Sequence, residues 1–289
     1  MRAVIVGAGA WGTAVAHLLR ERGHDVFVAR RDTLVDAPYA EADLVVIAVP
    51  SDAFRDVLAR VGGSAPILSL AKGLDPSTGE RLSTLVHDRP VAVLSGPNMA
   101  DEVLAGLPGA TVIASRDERL ALRLQDAFNS RAFRVYVNDD VVGVELCGAA
   151  KNVIALAAGG VDGLGLGDNA KAALITRGLV EMARLGEAFG AVPETFSGLA
   201  GMGDLMVTCW SRQGRNRRAG ELIAQGATPE EAAAEIGTVE GLTTAPVLRE
   251  LSHRVGIELP ITEGVCHVLD GQDLHDLAAK LMGRQPTRE

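Results

Sequence analysis

The chain has 289 residues, 47% hydrophobic and 22% charged, with a mean hydropathy of +0.18. That is enough to bury more than one core, which predicts two domains and excludes the disordered and collagen-like classes. A net charge of −9 and a pI near 5.2 set the surface as a whole against nucleic acid and anionic lipid, so any phosphate site must be local.

Residues 3–6 read as a buried strand running into Gly7-Ala-Gly9-Ala-Trp11-Gly12, and the helix that follows is closed by Gly23. Strand, glycine turn and helix in that order are the context a dinucleotide-binding turn requires. Gly7 allows the turn, Gly9 admits a pyrophosphate to the backbone, and Gly12 lets helix and strand lie close. The alternative is a purely structural glycine turn. These glycines also interrupt the apolar run, which excludes a signal peptide. A second strand, residues 25–29, ends in Arg30-Arg31-Asp32. An acid there suits the ribose hydroxyls of NAD, and an arginine suits the 2′-phosphate of NADP. Two arginines favour NADP(H), while Asp32 leaves NAD(H) open.

The stretch from residue 30 to the next strand, residues 43–50, holds barely enough chain for one parallel crossover. A helix is predicted over residues 54–61 and a strand over 66–70, with Lys72 in the loop leaving it. Residues 91–94 form another strand, turned by Ser95-Gly96-Pro97-Asn98-Met99-Ala100. Strands are predicted at 111–114 and 133–137, with a helix over 118–128 between them. Beyond Asn138 the strand signals nearly stop. The expected fold is α/β, a Rossmann-type doubly wound sheet over residues 1–139 followed by an all-helical substrate-binding domain over 140–289.

The helical half opens on residues 145–161, where the sole charge after Glu145 is Lys151. Cys147, Gly148, Lys151, Ile154, Ala155 and Ala158 fall at helical spacing, giving an apolar stripe with one lysine in it. Such a lysine either snorkels to solvent or, desolvated in a cleft, serves as a proton donor or acceptor. No uninterrupted apolar run reaches the ~20 residues that a membrane span needs, so no membrane insertion is expected. The glycines of residues 159–167 predict a sharply bending loop. Residues 197–203 are a second glycine-rich approach, leading into a helix start with Asp204 and Thr208 on one face. Arg215, Arg217 and Arg218 then concentrate guanidinium in an acidic protein and predict an anion site; a solvated basic helix start is the alternative. No aromatic residues interleave them, which argues against nucleic acid. Cys147, Cys209 and Cys266 form no CxxC and fit reduced, cytoplasmic thiols, and no histidine or carboxylate spacing predicts a metal.

Gly7-Ala-Gly9-Ala-Trp11-Gly12-Thr, Ser69-Leu-Ala-Lys72-Gly-Leu, Ser95-Gly96-Pro-Asn-Met-Ala100, Lys151-Asn152-Val-Ile-Ala, the run from Asp162 to Gly178, Gly198-Leu-Ala-Gly-Met-Gly-Asp204-Leu and Arg215-Asn216-Arg together resemble the bacterial NAD(P)-dependent glycerol-3-phosphate dehydrogenases. The likeness spans nearly the whole chain. It implies reversible hydride transfer between NADP or NAD and the carbon joining dihydroxyacetone phosphate to sn-glycerol 3-phosphate, supplying glycerol 3-phosphate for phospholipid synthesis. Lys151 matches the family's acid/base residue, and Lys72, Gly96, Asn98, Asn152, Asp204, Arg215 and Asn216 match substrate positions. Ala10, Trp11, Arg31, Lys72, Ala100, Arg215, Thr238 and Glu240 match cofactor positions beside Gly7, Gly9 and Gly12. A homodimer through the helical half is implied too. The segment after the second strand is shorter than usual in the family, Asn98 replaces a usual serine or threonine, and Gly214 a usual serine. Two other readings are a β-hydroxyacid dehydrogenase relative, which the arginines and Asp204 oppose, and a non-catalytic dinucleotide sensor, which Lys151, Asn152 and Asp204 together oppose.

Overall fold

The computed structural model describes residues 1–274; residues 275–289, the end of the expected helical domain, lie outside the described part. Its first half is a seven-stranded sheet: β1 (Arg2–Val6), β2 (Asp25–Ala29), β3 (Leu44–Ile47), β4 (Ile67–Ser69), β5 (Val91–Ser95), β6 (Gly109–Ala114) and β7 (Phe133–Asn138). The strand order is β2-β1-β3-β4-β5-β6-β7, all neighbours being parallel except β5 and β6. Every residue of β3 and β4 is buried, as a parallel sheet covered on both faces requires. One face is covered by α1 (Ala10–Glu21) and α4 (Glu118–Phe128) through Leu18, Leu19, Leu124 and Phe128. Tyr39, Phe54 and Leu82 cover the other.

The crossover between β2 and β3 contains no α-helix, as its length predicts, only a 3-10 turn at Tyr39–Glu41. Tyr39 is buried there and its hydroxyl donates to Leu34 O at 2.8 Å, so one aromatic ring fills space that a helix would otherwise cover. The next helix, α2, runs Ser51–Leu58 rather than over 54–61, because Pro50 stands at its N-cap and the chain turns into helix directly after it. A short α3 (Ala100–Leu104) follows the turn after β5.

From Val141 onward the described chain is helical: α5 (Val141–Gly163), α6 (Gly167–Ala188), α7 (Pro193–Ser197), a π-turn (Leu199–Gly203), α8 (Asp204–Trp210), α9 (Arg215–Ala224), α10 (Pro229–Ile236), α11 (Glu240–Val255) and α12 (Pro260–Leu269). Asp140 caps α5, one carboxylate oxygen accepting from Gly143 N while the other takes Val192 N and Thr195 Oγ1. By length and composition α5 could cross a bilayer, despite Glu145 and Lys151; in this fold it is the buried axis around which the other helices pack.

The expected loop at residues 159–167 is a correction. The helix continues through Gly163, and the turn is only residues 164–166. These glycines serve packing instead: a β-carbon on Gly159 would strike Arg217 O, one on Gly163 would sit 2.6 Å from the Ala224 side chain, and one on Gly220 of α9 would strike Leu156 O. The two helix backbones therefore touch. Gly220→Ala is expected to cost about 1–3 kcal/mol, as overpacking against rigid backbone does. A lower urea midpoint at unchanged slope would show it; an unchanged midpoint would mean that α9 is free to move off α5. Residues 199–203 are likewise helical rather than a glycine loop, a π-turn entered through the extended Gly198, with Gly201 packed on Phe196 O.

Candidate functional site

The candidate site lies where parallel strands end, the place at which an open α/β sheet collects ligands. After β1, Gly7 has φ +111° and no room for a β-carbon against Ala48 O, and a β-carbon on Gly12 would strike Gly7 O. Gly9 differs: nothing lies within 4 Å of where its side chain would be. Gly9 is the N-cap of α1, whose first turn carries no acidic residue, so the free amides of that turn face no competing carboxylate. A pyrophosphate fits this chemistry. Ala10 and Trp11 stand in that first turn, and Trp11 and Ala100 pack against the same apolar cluster; the Trp11 indole N–H is buried without a partner. Arg30 and Arg31 follow β2, both exposed and without an ion pair among the described residues.

After β4 and β5 come Lys72 and Gly96, and the helical half brings its own residues to them. Lys151, buried on α5, donates to Asp204 Oδ1 at 2.5 Å and to Thr208 Oγ1 at 3.0 Å. Lys72 donates to the other oxygen of Asp204 at 2.6 Å and to Gly96 O at 3.0 Å. One carboxylate thus joins two ammonium groups from opposite halves of the chain. Burial pulls Lys151 down to about 8, with the Lys72 charge adding to the effect and Asp204 opposing it. Burial acts to raise Asp204, yet the Lys151 and Lys72 charges hold it below its ordinary value. A lysine so placed exchanges protons near neutral pH.

Asn152 hands both amide protons to backbone oxygens, Lys72 O at 2.7 Å and Gly148 O at 3.2 Å, while its Oδ1 accepts from Asn216 Nδ2 at 2.9 Å. Asn216 Oδ1 in turn accepts from Gly241 N. Asn152 is therefore a brace between the halves here, with no amide proton left for a ligand, whereas Asn216 retains one. Asn98 lies beside the site but turns to β6: Thr111 Oγ1 gives its proton to Ser95 O and so accepts from Asn98 Nδ2, leaving Asn98 Oδ1 buried without a partner.

The arginine cluster does not converge as composition predicts. Arg217 pairs with Asp162 and Glu221, and Arg218 with Glu235, because acids on neighbouring turns and helices claim them. Arg215 alone of the three is exposed at the start of α9 without an ion pair among the described residues, near enough to Glu240 to draw its pKa down. Glu240 is pushed up to about 6, by burial first, against the Ser51 amide and Arg215. It accepts from Ser51 N at 3.3 Å and Ser51 Oγ at 3.4 Å, linking α11 to the start of α2. Thr238 is exposed two residues earlier, and no contact ties it to the site.

Sequence reasoning misses Ser51 and Ser95, whose hydroxyl reaches Asp204 Oδ2 at 3.3 Å. Their signal is positional: both are buried and polar, Ser95 as the last residue of β5 and Ser51 as the first residue of the helix that follows β3. Among the described residues no three or more His, Cys, Asp or Glu side chains are grouped to hold a metal ion. All three cysteines are free and buried, and burial pushes Cys209 up to about 12 and Cys266 up to about 11, so neither is a reactive thiolate.

Family models for the N-terminus and C-terminus of NAD-dependent glycerol-3-phosphate dehydrogenase match residues 34–121 and 140–279. A glycerol-3-phosphate dehydrogenase [NAD(P)+] of Bacillus cereus is 42% identical over 324 aligned positions, covering 97% of this chain and 95% of the relative. A solved glycerol-3-phosphate dehydrogenase from Coxiella burnetii superposes with TM-score 0.92 at 37% identity, over 98% of this chain and 99% of that one. The yeast enzyme, at 24% identity and TM-score 0.83 over 98% of this chain and 99% of that one, shares the fold.

Proposed function

This chain belongs to the NAD-dependent glycerol-3-phosphate dehydrogenase family, and from that membership we infer that the paired lysines on Asp204 are its reaction centre. It is an oxidoreductase that uses NAD or NADP to interconvert sn-glycerol 3-phosphate and dihydroxyacetone phosphate. The observation that carries the site assignment is the buried Lys151 ammonium, held 2.5 Å from Asp204 and titrating near 8. The nicotinamide, when bound, supplies or accepts the hydride. Lys151 delivers a proton to the oxygen of the ketone being reduced and takes it back in oxidation. Asp204 orients Lys151 and offsets the charge of the two ammonium groups, and Lys72 adds positive charge beside Gly96 for the oxygens of a phosphorylated substrate. Arg215 and the remaining amide proton of Asn216 bind the substrate phosphate at the start of α9, with Gly96 and Asn98 bordering the site. Gly7, Gly9, Ala10, Trp11, Gly12, Ala100 and Glu240 line the cofactor's path, and Thr238 is assigned to it by the resemblance alone.

We divide the chain into a cofactor-binding domain of residues 1–139 and a substrate-binding domain from 140 onward, and assign it a cytoplasmic, homodimeric form that feeds glycerol 3-phosphate to phospholipid synthesis. Arg30 and Arg31, unpaired at the end of β2, favour NADP(H) over NAD(H) through the 2′-phosphate. Oxidation of NADPH and of NADH with dihydroxyacetone phosphate, followed by absorbance, tests both readings. Turnover with a higher kcat/KM for NADPH is expected, and Arg31→Ala should lower the NADPH value about tenfold with little effect on NADH, the loss of one charge-assisted phosphate contact. No turnover in protein that binds either nucleotide would sink the assignment; an unchanged ratio in Arg31→Ala would remove the NADP(H) preference.

A further inference from the structure

Glu145 lies six residues before Lys151 and takes no part in the site described above. It is buried, and its carboxylate accepts from Arg81 Nη1 at 2.8 Å, Ser83 N at 2.8 Å and Ser83 Oγ at 2.5 Å. Those partners close the excursion that leaves β4 and begins with Lys72. The excursion is folded upon itself: Leu74 bridges Arg81, Asp75 N donates to Glu80 O, and the Asp75 carboxylate accepts from Ser77 and Thr78. These bonds make it one folded unit with Lys72 at one end and Arg81 at the other. Arg55 of α2 holds its outer side through Asp75 at 2.8 Å.

Glu145, Gly148 and Asn152 stand at i, i+3 and i+7 and so form one stripe along α5. All three meet this excursion. Glu145 takes the Arg81 and Ser83 end, the Lys72 backbone passes over Gly148, and Asn152 donates to Lys72 O. Lys151 lies on the adjoining face, toward Asp204. The stripe that grips the Lys72 segment and the face that presents Lys151 are therefore parts of one rigid helix. A buried ion pair adds little stability over apolar side chains of the same volume, but three directional bonds to one carboxylate do fix a register.

We propose that Glu145 is a positioning residue: with Arg81 and Ser83 it clamps the Lys72 segment in register on α5, and so sets how far the Lys72 ammonium stands from Asp204 and Lys151. This rests on the reading of Lys72 and Lys151 as parts of the dehydrogenase centre. Without the clamp, the far end of the excursion is released, Asn152 is the one remaining tie from α5 to the Lys72 backbone, and the Lys72 ammonium shifts outward from Asp204 and Gly96 O. Its charge, one of the influences holding Lys151 down, would recede, and Lys151 would titrate higher.

Glu145→Gln, Arg81→Met and Ser83→Ala test this through kcat/KM for glycerol 3-phosphate oxidation as a function of pH, melting temperature, and the rate at which Lys72 is acylated by an amine reagent, read by mass spectrometry. A displacement of about 1 Å is expected to lower kcat/KM by about ten- to a hundredfold in Glu145→Gln and Arg81→Met, with a smaller loss in Ser83→Ala. The limb of the profile that rises with pH should move to higher pH, and Lys72 should be acylated faster. A lower melting temperature with the limb and the acylation rate of wild type would make the ion pair a structural brace only and overturn the proposal. If Glu145→Gln does not fold, Arg81→Met decides, since Arg81 is partly exposed. Wild-type protein that shows the acylation difference but no turnover would defeat the dehydrogenase reading and leave the clamp standing.

Discussion

Lys151→Met is expected to lower kcat for dihydroxyacetone phosphate reduction by about 10²–10⁴-fold, the range that a positioned general acid contributes. Cofactor binding, read by NADPH fluorescence, should stay within a few-fold of wild type. Methionine matches the length and flexibility of the lysine stem in a site that leaves Lys151 only 5% exposed, so the helix should keep its packing. Asp204 keeps Lys72 as its counter-charge, which removes the usual cost of an orphaned carboxylate. The pH profiles of the wild type carry the sign. Reduction needs the ammonium form, so kcat/KM should fall as pH rises through about 8; oxidation needs the neutral amine and should rise through the same value. Both limbs should vanish in the variant. Turnover within a few-fold of wild type would transfer the proton to another group, of which Lys72, on the same carboxylate, is the nearest.

The α/β half was legible because its signals are local. An apolar strand, a glycine triplet and a helix fall within the first two dozen residues, and each glycine meets a demand that the structure makes of it, a positive φ at Gly7, open space at Gly9 and backbone contact at Gly12. Gly159, Gly160 and Gly163 misled because the same lack of a β-carbon serves two ends. It permits a bend, and it permits two helices to touch; only the partner tells which, here Arg217 of α9 for Gly159, Ala224 for Gly163, and Gly220 of the same helix beside Gly160 N. Lys151 could be singled out as one charge in an apolar helix, but its partner Asp204 lies 53 residues away. The arginine cluster failed for that same reason of distance. Arg217 is claimed by Asp162, 55 residues before it, and spacing within α9 carries no trace of that pairing. The resemblance makes Asn152 a substrate residue, and which oxygens take its two amide protons, Lys72 O and Gly148 O, is visible only in the structure.

Asp204→Asn is expected to cost both stability and activity, and the two losses should separate with pH. The side chain is 1% exposed and accepts from two ammonium groups, so the substitution keeps its shape while leaving Lys72 and Lys151 to face each other without a counter-charge. Breaking a buried pair in this way costs about 3–5 kcal/mol at neutral pH. The deficit should shrink as pH rises through about 8. Above that value the wild type loses the Lys151 charge and with it part of the ion pair, while in the variant deprotonation of Lys151 relieves the repulsion. Without Asp204, which raises it, Lys151 should itself titrate below 8, so the oxidation limb should move to lower pH, the direction opposite to that expected for loss of the Glu145 clamp. Asparagine also keeps only one acceptor oxygen for the two lysines, so the charge-assisted bond that orients Lys151 is lost or weakened and kcat should fall by about 10² or more. A stability deficit that is the same at pH 7 and pH 9 would mean that the cost is steric rather than electrostatic, and a limb that moves upward would mean that Lys72, not Asp204, governs the proton on Lys151.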